Sequence, residues 1–326
     1  MIDFSITPEE KELAQKLAKE YNYLPYMIER YLQIFGINET KKYLMANEEP
    51  LNPSIRVNEL KISTEKLEEK LIRKGFKLNK IDKIPFGFEV LKESQNLGSL
   101  HEYLRGYFYL QGIASMYPPI ILQPTSDDLV IDMAAAPGSK ATELAQIMEN
   151  EGQLILIEKN YQRIPSLELN LRRLGVKNSL IINYDSTKLS NLNLKADRIL
   201  LDAPCTGEGL IRKDPLRKKS KSLEDLSKMN KIQKQLLKEG LSSLVSGGTL
   251  VYSTCSIAPE ENEFVIDEIL RDMNNFRILN ISMNIGSPGL THIFGKTLNQ
   301  NLQKARRLYP HKDNTIGFFI CLIEKT

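Results

Sequence analysis

From Leu129 onward the chain alternates short apolar runs with longer stretches of helical spacing, and this rhythm leaves few folds open. The runs are LVIDM, QLILIE, SLIIN, DRILLD and GTLVYS. Between and after them lie a helix from Ser139, one through Leu167 to Leu174 ended by Gly175, one around Leu223 to Leu244, and one from Pro259. Strand runs this apolar need cover on both faces, and intervening helices supply it, so the pattern predicts a doubly wound, mostly parallel α/β sheet of Rossmann-like form. Such sheets bind ligands beyond the carboxyl ends of their strands. The first of these ends is the stretch AAAPGSK, Ala134 to Lys140. Its small residues Ala134, Ala135, Ala136 and Gly138 keep the approach to a helix N-terminus clear, where unpaired amides can meet a cofactor or anion.

The region before the sheet reads differently. Residues 7–46 carry helix-like spacing (Leu13, Leu17, Tyr31, Leu32, Phe35), with Thr7 as cap, Pro8 at the first position and Gly36 as a break. NEEPLNP is a linker by composition. Ile55 to Ile62 reads as a strand, Thr64 to Lys74 as a helix ending at Gly75, and Phe76 to Leu91 as short β segments. The expected division is an N-terminal region over 1–117, helical over 1–46 and a small α/β unit over 51–117, followed by the sheet domain over 118–326. Tyr103, Tyr107, Phe108, Tyr109 and Tyr117 read as core and interdomain packing before base stacking.

A chain of 326 residues with 41% hydrophobic and 26% charged residues has room for a sizeable core. No apolar run is long enough for a membrane span, and MIDFSITPEEKELAQK lacks the basic start and apolar centre of a signal peptide. The expectation is a cytoplasmic, monomeric protein without a membrane partner. Three cysteines, Cys205, Cys255 and Cys321, are too few for a disulfide framework. The net charge of +3 is too small to establish a nucleic-acid partner, and its distribution says more. Arg212, Lys213, Arg217, Lys218, Lys219 and Lys221 crowd the stretch RKDPLRKKSK, and Lys304, Arg306 and Arg307 form a second group; such blocks can bind phosphates through counterion release, and a solvated loop without a partner is the other reading.

The residues just past each strand carry the chemistry. Glu158 follows the glycine turn by about 20 residues, where an acid accepts hydrogen bonds from both ribose hydroxyls of an adenosine-type ligand. Asp185, past the third strand, is placed for the adenine amino group, and helix capping is the other use of either acid. With few glycines and no partner for a pyrophosphate, the first turn suits an adenosyl cofactor smaller than a dinucleotide. Cys205 in DAPCTGEG and Cys255 in STCS sit in polar loops at adjacent strand ends and should converge as thiol nucleophiles, whereas Cys321 in GFFICLI reads as inert core. The histidines show no zinc spacing, so no metal is expected.

DMAAAPGSKAT, IEKNYQRIPSLELNLRRLG, DAPCTGEGLIRKDP and YSTCSIAPEENE together resemble the successive motifs of the RNA 5-methylcytosine methyltransferases, the NOL1/NOP2/Sun family. The likeness extends to IRVNELK and GYFYLQGIASMYPP before the core and to YPHKDNTIGFFICLIEK at the end, nearly the whole chain. Ala134 stands where the family often has cysteine, Ser139 where it often has glycine, and Ala141 precedes the usual threonine. The resemblance implies an S-adenosylmethionine-dependent methyltransferase sheet preceded by an RNA-binding N-terminal region. It implies cofactor contacts from Ala134, Ala135, Ala136, Pro137, Gly138, Ser139, Lys140, Glu158, Asp185 and Asp202, with Arg163 nearby. It also implies Cys255 as the nucleophile on cytosine carbon 6 and Cys205 as the residue assisting release. Asp202 would act at ring nitrogen 3, and Lys140 would contact the base or backbone and help lower a thiol pKa. The expected substrate is structured RNA, tRNA before rRNA. DNA cytosine methylation with a Pro204-Cys205 nucleophile and a noncatalytic RNA-binding assembly factor are the competing readings. The chain stops soon after its last strand, so the further RNA-binding domain that some members append is expected to be absent.

Overall fold

The computed structural model describes residues 6–326; the first five residues, where the segment read for a leader begins, lie outside it. Helix α1 (Pro8–Tyr21) starts with a capping box in which Thr7 Oγ1 accepts from Glu10 N at 3.2 Å and Glu10 Oε2 accepts from Thr7 N at 2.9 Å. Helix α2 (Pro25–Ala46) is kinked at Gly36, whose φ of 73° and ψ of 172° leave helical space, the break expected there. The α/β unit follows: β1 (Ser54–Val57), α3 (Thr64–Arg73), β2 (Lys77–Lys80), β3 (Gly87–Lys92), α4 (His101–Leu104) and β4 (Phe108–Leu110), with the antiparallel order β2-β3-β1-β4. The expected strand over Ile55 to Ile62 is cut short at Val57. Asn58 turns its amide to the carbonyls of Gly106 and Leu174, both at 2.8 Å, and the backbone curls into a turn behind it.

The second part comprises α5 (Ile113–Leu122), β5 (Leu129–Asp132), α6 (Ser139–Ile147), β6 (Gln153–Ile157), α7 (Ile164–Leu174), β7 (Ser179–Ile182), β8 (Ala196–Asp202), α8 (Leu223–Ser242), β9 (Leu244–Thr254) and α9 (Glu263–Asp272). It ends with β10 (Phe276–Ile278), β11 (Ser287–Pro288), a ribbon of β12 (His292–Ile293) and β13 (Lys296–Thr297), β14 (Arg306–Leu308), α10 (Pro310–Asp313) and β15 (Phe318–Lys325). Five strands, in the order β9-β8-β5-β6-β7, are parallel, and β15 and β14 extend the sheet antiparallel beside β9. This is the doubly wound sheet that the alternation predicts. Period-two side chains split the core: Val130, Leu154 and Leu200 pack under α5, α6 and α7, while Ile131, Ile155, Ile199 and Leu201 pack under α8 and α9. A boundary between 117 and 118 falls inside α5, which packs on α6 and on the large sheet.

Two features of this packing matter for function. Chain order reverses at β5, with β6 on one side and β8 on the other, so a crevice opens between the carboxyl ends of β5 and β8. The helices α1 and α2 form their own apolar cluster, which includes Ile211 and Ile257 from the loops after β8 and β9. The aromatics Phe108, Tyr109 and Tyr117 are buried and Tyr103 and Tyr107 pack partly against the core, the packing use expected of them.

Candidate active site

The crevice is a cleft of about 640 Å³, and strand-end residues line it from one end to the other. At its inner end β8 stops at Asp202 and β9 at Thr254, and the following loops bring Cys205 and Cys255 to an Sγ–Sγ distance of 3.3 Å, both half-buried. Several contacts hold the loops together. Thr206 donates its backbone N–H and hydroxyl to Glu261 at 2.8 and 2.7 Å, Gly209 N donates to Cys255 O at 3.0 Å, and Gly317 N donates to Gly209 O at 2.8 Å. The hydrogen bond to Cys255, then burial, pushes the Cys205 thiol well above its ordinary range, so at neutral pH Cys205 carries its proton. Cys321 is fully buried, as expected of a core cysteine.

Beside the thiols lies a charged pair. Lys140 Nζ donates to Asp202 Oδ2 at 2.6 Å and to Ser115 Oγ at 2.8 Å, and Ser253 Oγ donates to Asp202 Oδ1 at 2.7 Å. Burial pulls the Lys140 ammonium down, but the charge and hydrogen bond of Asp202 outweigh it and leave the pKa raised. Asp202 thus accepts on both oxygens, and the proton in the pair resides on Lys140. Asp132, at the end of β5, is almost fully buried, and burial drives its carboxyl up to about 7 against the 3.1 Å hydrogen bond from Ala134 N.

At the outer end Glu158 is buried beside the first turn, with Oε1 accepting from Asn160 N at 2.8 Å and Oε2 from Ala136 N at 3.3 Å. Arg163 stands 3.5 Å from the Glu158 carboxylate and donates to Ala136 O. Asp185 caps the turn after β7 through Thr187 N and Oγ1 at 3.1 and 2.8 Å, and its Oδ2 pairs with Lys159 at 2.6 Å. It caps and lines the cleft at once. Ala134, Ala136, Glu158, Arg163, Asp185, Asp202, Cys205 and Cys255 all line the cleft. Ala135 instead packs in the core, Pro137 is exposed, Gly138 takes φ 103° against Leu167, and Ser139 gives its carbonyl to Arg56 at 2.8 Å.

The basic blocks are only partly free. Arg212 is buried, donating to Glu49 O at 2.8 Å and Asn314 Oδ1 at 2.9 Å; Lys218 is buried against Glu48 at 2.5 Å and over the ring of Tyr23; Arg217 donates to Thr206 O at 2.8 Å. In the second block Arg307 is buried against Glu263 and Lys304 is held to Ile278 O at 3.2 Å. The expectation that the RKDPLRKKSK charge meets substrate phosphates therefore narrows: Lys213 and Lys219 are the exposed cations of that block, and Lys221 is half-buried. Sequence reasoning missed Ser115, Ser253, Asp132 and the acids Glu208, Glu260 and Glu261 around the cysteine loops. Asp132 and Ser253 had a usable signal in their places at strand ends, and the three glutamates in lying within DAPCTGEGLIRKDP and YSTCSIAPEENE.

The sheet order is that of the S-adenosylmethionine-dependent methyltransferase fold. A crystal structure of a methyltransferase homolog protein from Pyrococcus horikoshii superposes with a TM-score of 0.88 at 38% identity, covering 98% of this chain and 100% of that one. A family model described as 16S rRNA methyltransferase RsmB/F matches residues 119–324, and one for the N-terminal domain of 16S rRNA methyltransferase RsmF matches residues 24–112. The chain belongs to the NOL1/NOP2/Sun family of RNA cytosine-C5 methyltransferases. A tRNA (cytosine(49)-C(5))-methyltransferase of Pyrococcus abyssi is 34% identical over 92% of this chain and 95% of its own length. The mouse 28S rRNA (cytosine-C(5))-methyltransferase is 37% identical over 96% of this chain but only 40% of its own length; the chain spans about half or less of several such rRNA relatives. Among the described residues no helix is long and apolar enough to cross a membrane.

Proposed function

We propose that the protein methylates carbon 5 of cytosine in structured RNA through a covalent adduct, with S-adenosylmethionine as methyl donor. The observation that carries this reading is the thiol pair at 3.3 Å, set beside the Lys140–Asp202 pair at the inner end of the cleft. The outer end fits the cofactor. The carboxylates of Glu158 and Asp185 each have lone pairs beyond those their protein donors use, and no side chain larger than methyl projects from Ala134 or Ala136. The cleft also has the volume usual for a ligand of this size. S-adenosylmethionine bound there supplies an electrophilic methyl group.

Carbon 5 of cytosine is a poor nucleophile until a thiolate adds to carbon 6 and makes the ring an enamine. Cys255, its thiol proton released to solvent, forms that bond, while ring nitrogen 3 takes a proton that Asp202 relays from Lys140. Once carbon 5 carries the methyl group, its proton must go to a base, the sulfur–carbon bond must break, and the nitrogen proton returns to the Lys140–Asp202 pair. Cys205 is the base. Cys205 carries its own proton in the free protein and serves as base once that proton has passed to solvent: the largest cause of its raised pKa, the hydrogen bond to Cys255, is lost when Cys255 bonds to carbon 6, and the Cys205 thiolate then takes the carbon-5 proton. The target must be flipped from its stack to be reached. Among RNAs, tRNA is the preferred reading and rRNA the alternative; relatives carrying each name match this chain.

A denaturing gel tests the roles. Mixed with cofactor and transcripts of tRNA and rRNA, Cys205→Ala accumulates a slow-migrating protein–RNA species, and Cys255→Ala and the double variant give none. An adduct in Cys255→Ala that is lost in Cys205→Ala reverses the roles and returns the Pro204-Cys205 mechanism of the DNA enzymes. No 5-methylcytosine in any transcript with wild-type protein leaves the noncatalytic reading.

A further inference from the structure

Arg30 lies on α2 among the buried apolar residues Met27, Ile28, Tyr31 and Leu32. Its side chain is fully buried, yet both edges of the guanidinium are engaged. Nε and Nη2 donate to Glu260 at 3.2 and 2.6 Å, and Nη1 donates to both oxygens of Glu208 at 3.0 Å. Glu208 belongs to the loop that carries Cys205, and Glu260 to the loop that carries Cys255. One planar cation from the N-terminal helices therefore fastens the two cysteine loops to each other.

Docking α2 does not require this. The helix already packs on Ile211 and Ile257, and taking an arginine and two carboxylates out of water costs more than an apolar contact of similar volume. What the arrangement adds is geometry, because the guanidinium fork fixes the direction of each carboxylate and screens two buried like charges that would otherwise push the loops apart. The effect reaches the sulfurs through short backbone paths. Gly209, next to Glu208, donates to Cys255 O at 3.0 Å, and Glu261, next to Glu260, holds Thr206, the neighbour of Cys205. We propose that Arg30 is a positioning residue that sets the spacing of the Cys205 and Cys255 sulfurs, which makes the N-terminal helical region part of the working site. This rests on the reading of the two cysteines as the reacting pair.

Thiol–disulfide exchange measures that spacing without RNA or methyl transfer. In a glutathione buffer the protein dithiol and one oxidised glutathione give a Cys205–Cys255 disulfide and two reduced glutathiones, and the equilibrium constant reports how close the sulfurs are held. In Arg30→Met the constant should fall by about tenfold or more, the sensitivity expected of a displaced reacting pair. Arg30→Lys, which keeps the charge and loses the fork, should fall between the two. Affinity for S-adenosylmethionine should stay at the wild-type value, and turnover should drop with little change in KM for RNA. A role confined to holding α2 in place predicts a lower thermal midpoint with the exchange constant of the folded protein unchanged, and that result overturns the proposal. Should Arg30→Met fail to fold, Glu208→Gln keeps the Arg30–Glu260 contact and loosens only the Cys205 loop. A wild-type exchange constant in both Glu208→Gln and Arg30→Lys overturns the proposal equally. Because exchange needs no substrate, a protein that shows the predicted constants but methylates no RNA sinks the functional reading and leaves the positioning role standing.

Discussion

At the scale of single residues, Glu158 and Asp132 divide the work at neighbouring strand ends, and each has its own test. Glu158 offers its carboxylate to the outer cleft while two backbone amides hold it in place. Glu158→Ala should weaken S-adenosylmethionine binding by about 1.5 to 3 kcal/mol, the range for hydrogen bonds to a charged group, measured by calorimetric titration. Unchanged affinity would mean that the ribose is held elsewhere. Among the described residues no cation pairs directly with Asp132, and burial raises its folded pKa to about 7, above the ordinary 3.8. The folded state therefore binds the proton more tightly than the unfolded chain. Its contribution to stability is full below about pH 3.8 and is lost as pH rises through 7. Asp132→Asn, which keeps the shape without the charge, should be the more stable protein by about 1 to 3 kcal/mol above pH 7 and lose that advantage toward pH 4. Urea unfolding of both proteins across that range decides it, and parallel pH profiles would refute the buried-acid argument.

At the scale of elements, the cysteine loops are held by backbone contacts so close that only glycine fits. An ideal Cβ on Gly209 would lie 2.0 Å from Gly317 O and 2.9 Å from Cys255 O, so the loops after β8 and β9 and the turn before β15 meet at this residue. Gly209→Ala should cost about 1 to 3 kcal/mol of stability, the usual range for overpacking, and lower turnover more than cofactor affinity. Equal loss of both would place the strain elsewhere. Elements of this kind differ in how far the sequence reveals them. The strands, the turn at Ala134 to Lys140, Glu158, Asp185 and both cysteines were legible because period-two apolar runs and the residues just past them are local patterns. The end of β1 was not, since Asn58 leaves the strand to reach Leu174 O, a partner far along the chain. Arg30 was hidden in the same way: within YMIERYLQIF it reads as a solvated charge, and only the fold brings Glu208 and Glu260 to it.

At the scale of the whole molecule, the question is which positive charges face the RNA. Composition showed a basic block directly after the cysteine loop, but local density cannot tell a phosphate contact from an internal brace. The fold settles this for three of its members by burying or tethering Arg212, Arg217 and Lys218, the last tying the block to Glu48 and Tyr23 behind α1 and α2. Lys213 and Lys219 remain exposed on the same segment, whose neighbours Leu210 and Arg217 line the cleft. If they meet substrate phosphates, each contact releases condensed counterions, and the logarithm of the binding constant falls with the logarithm of salt by about 0.7 to 0.9 per contact. Neutralising both in Lys213→Gln, Lys219→Gln should weaken RNA binding at low salt and flatten that slope by about 1.4 to 1.8, with cofactor affinity and thermal midpoint unchanged. Lys218→Gln should do the opposite, because its charge is spent inside the protein: the midpoint falls as Glu48 loses its partner, while the salt slope keeps its wild-type value. Filter binding of one transcript over a series of salt concentrations, with the three proteins side by side, separates the two classes. A flattened slope in Lys218→Gln alone would mean that the loop opens on RNA and exposes the buried lysine; a wild-type slope in the double variant would move the RNA path off this segment and toward the cations of the α/β unit.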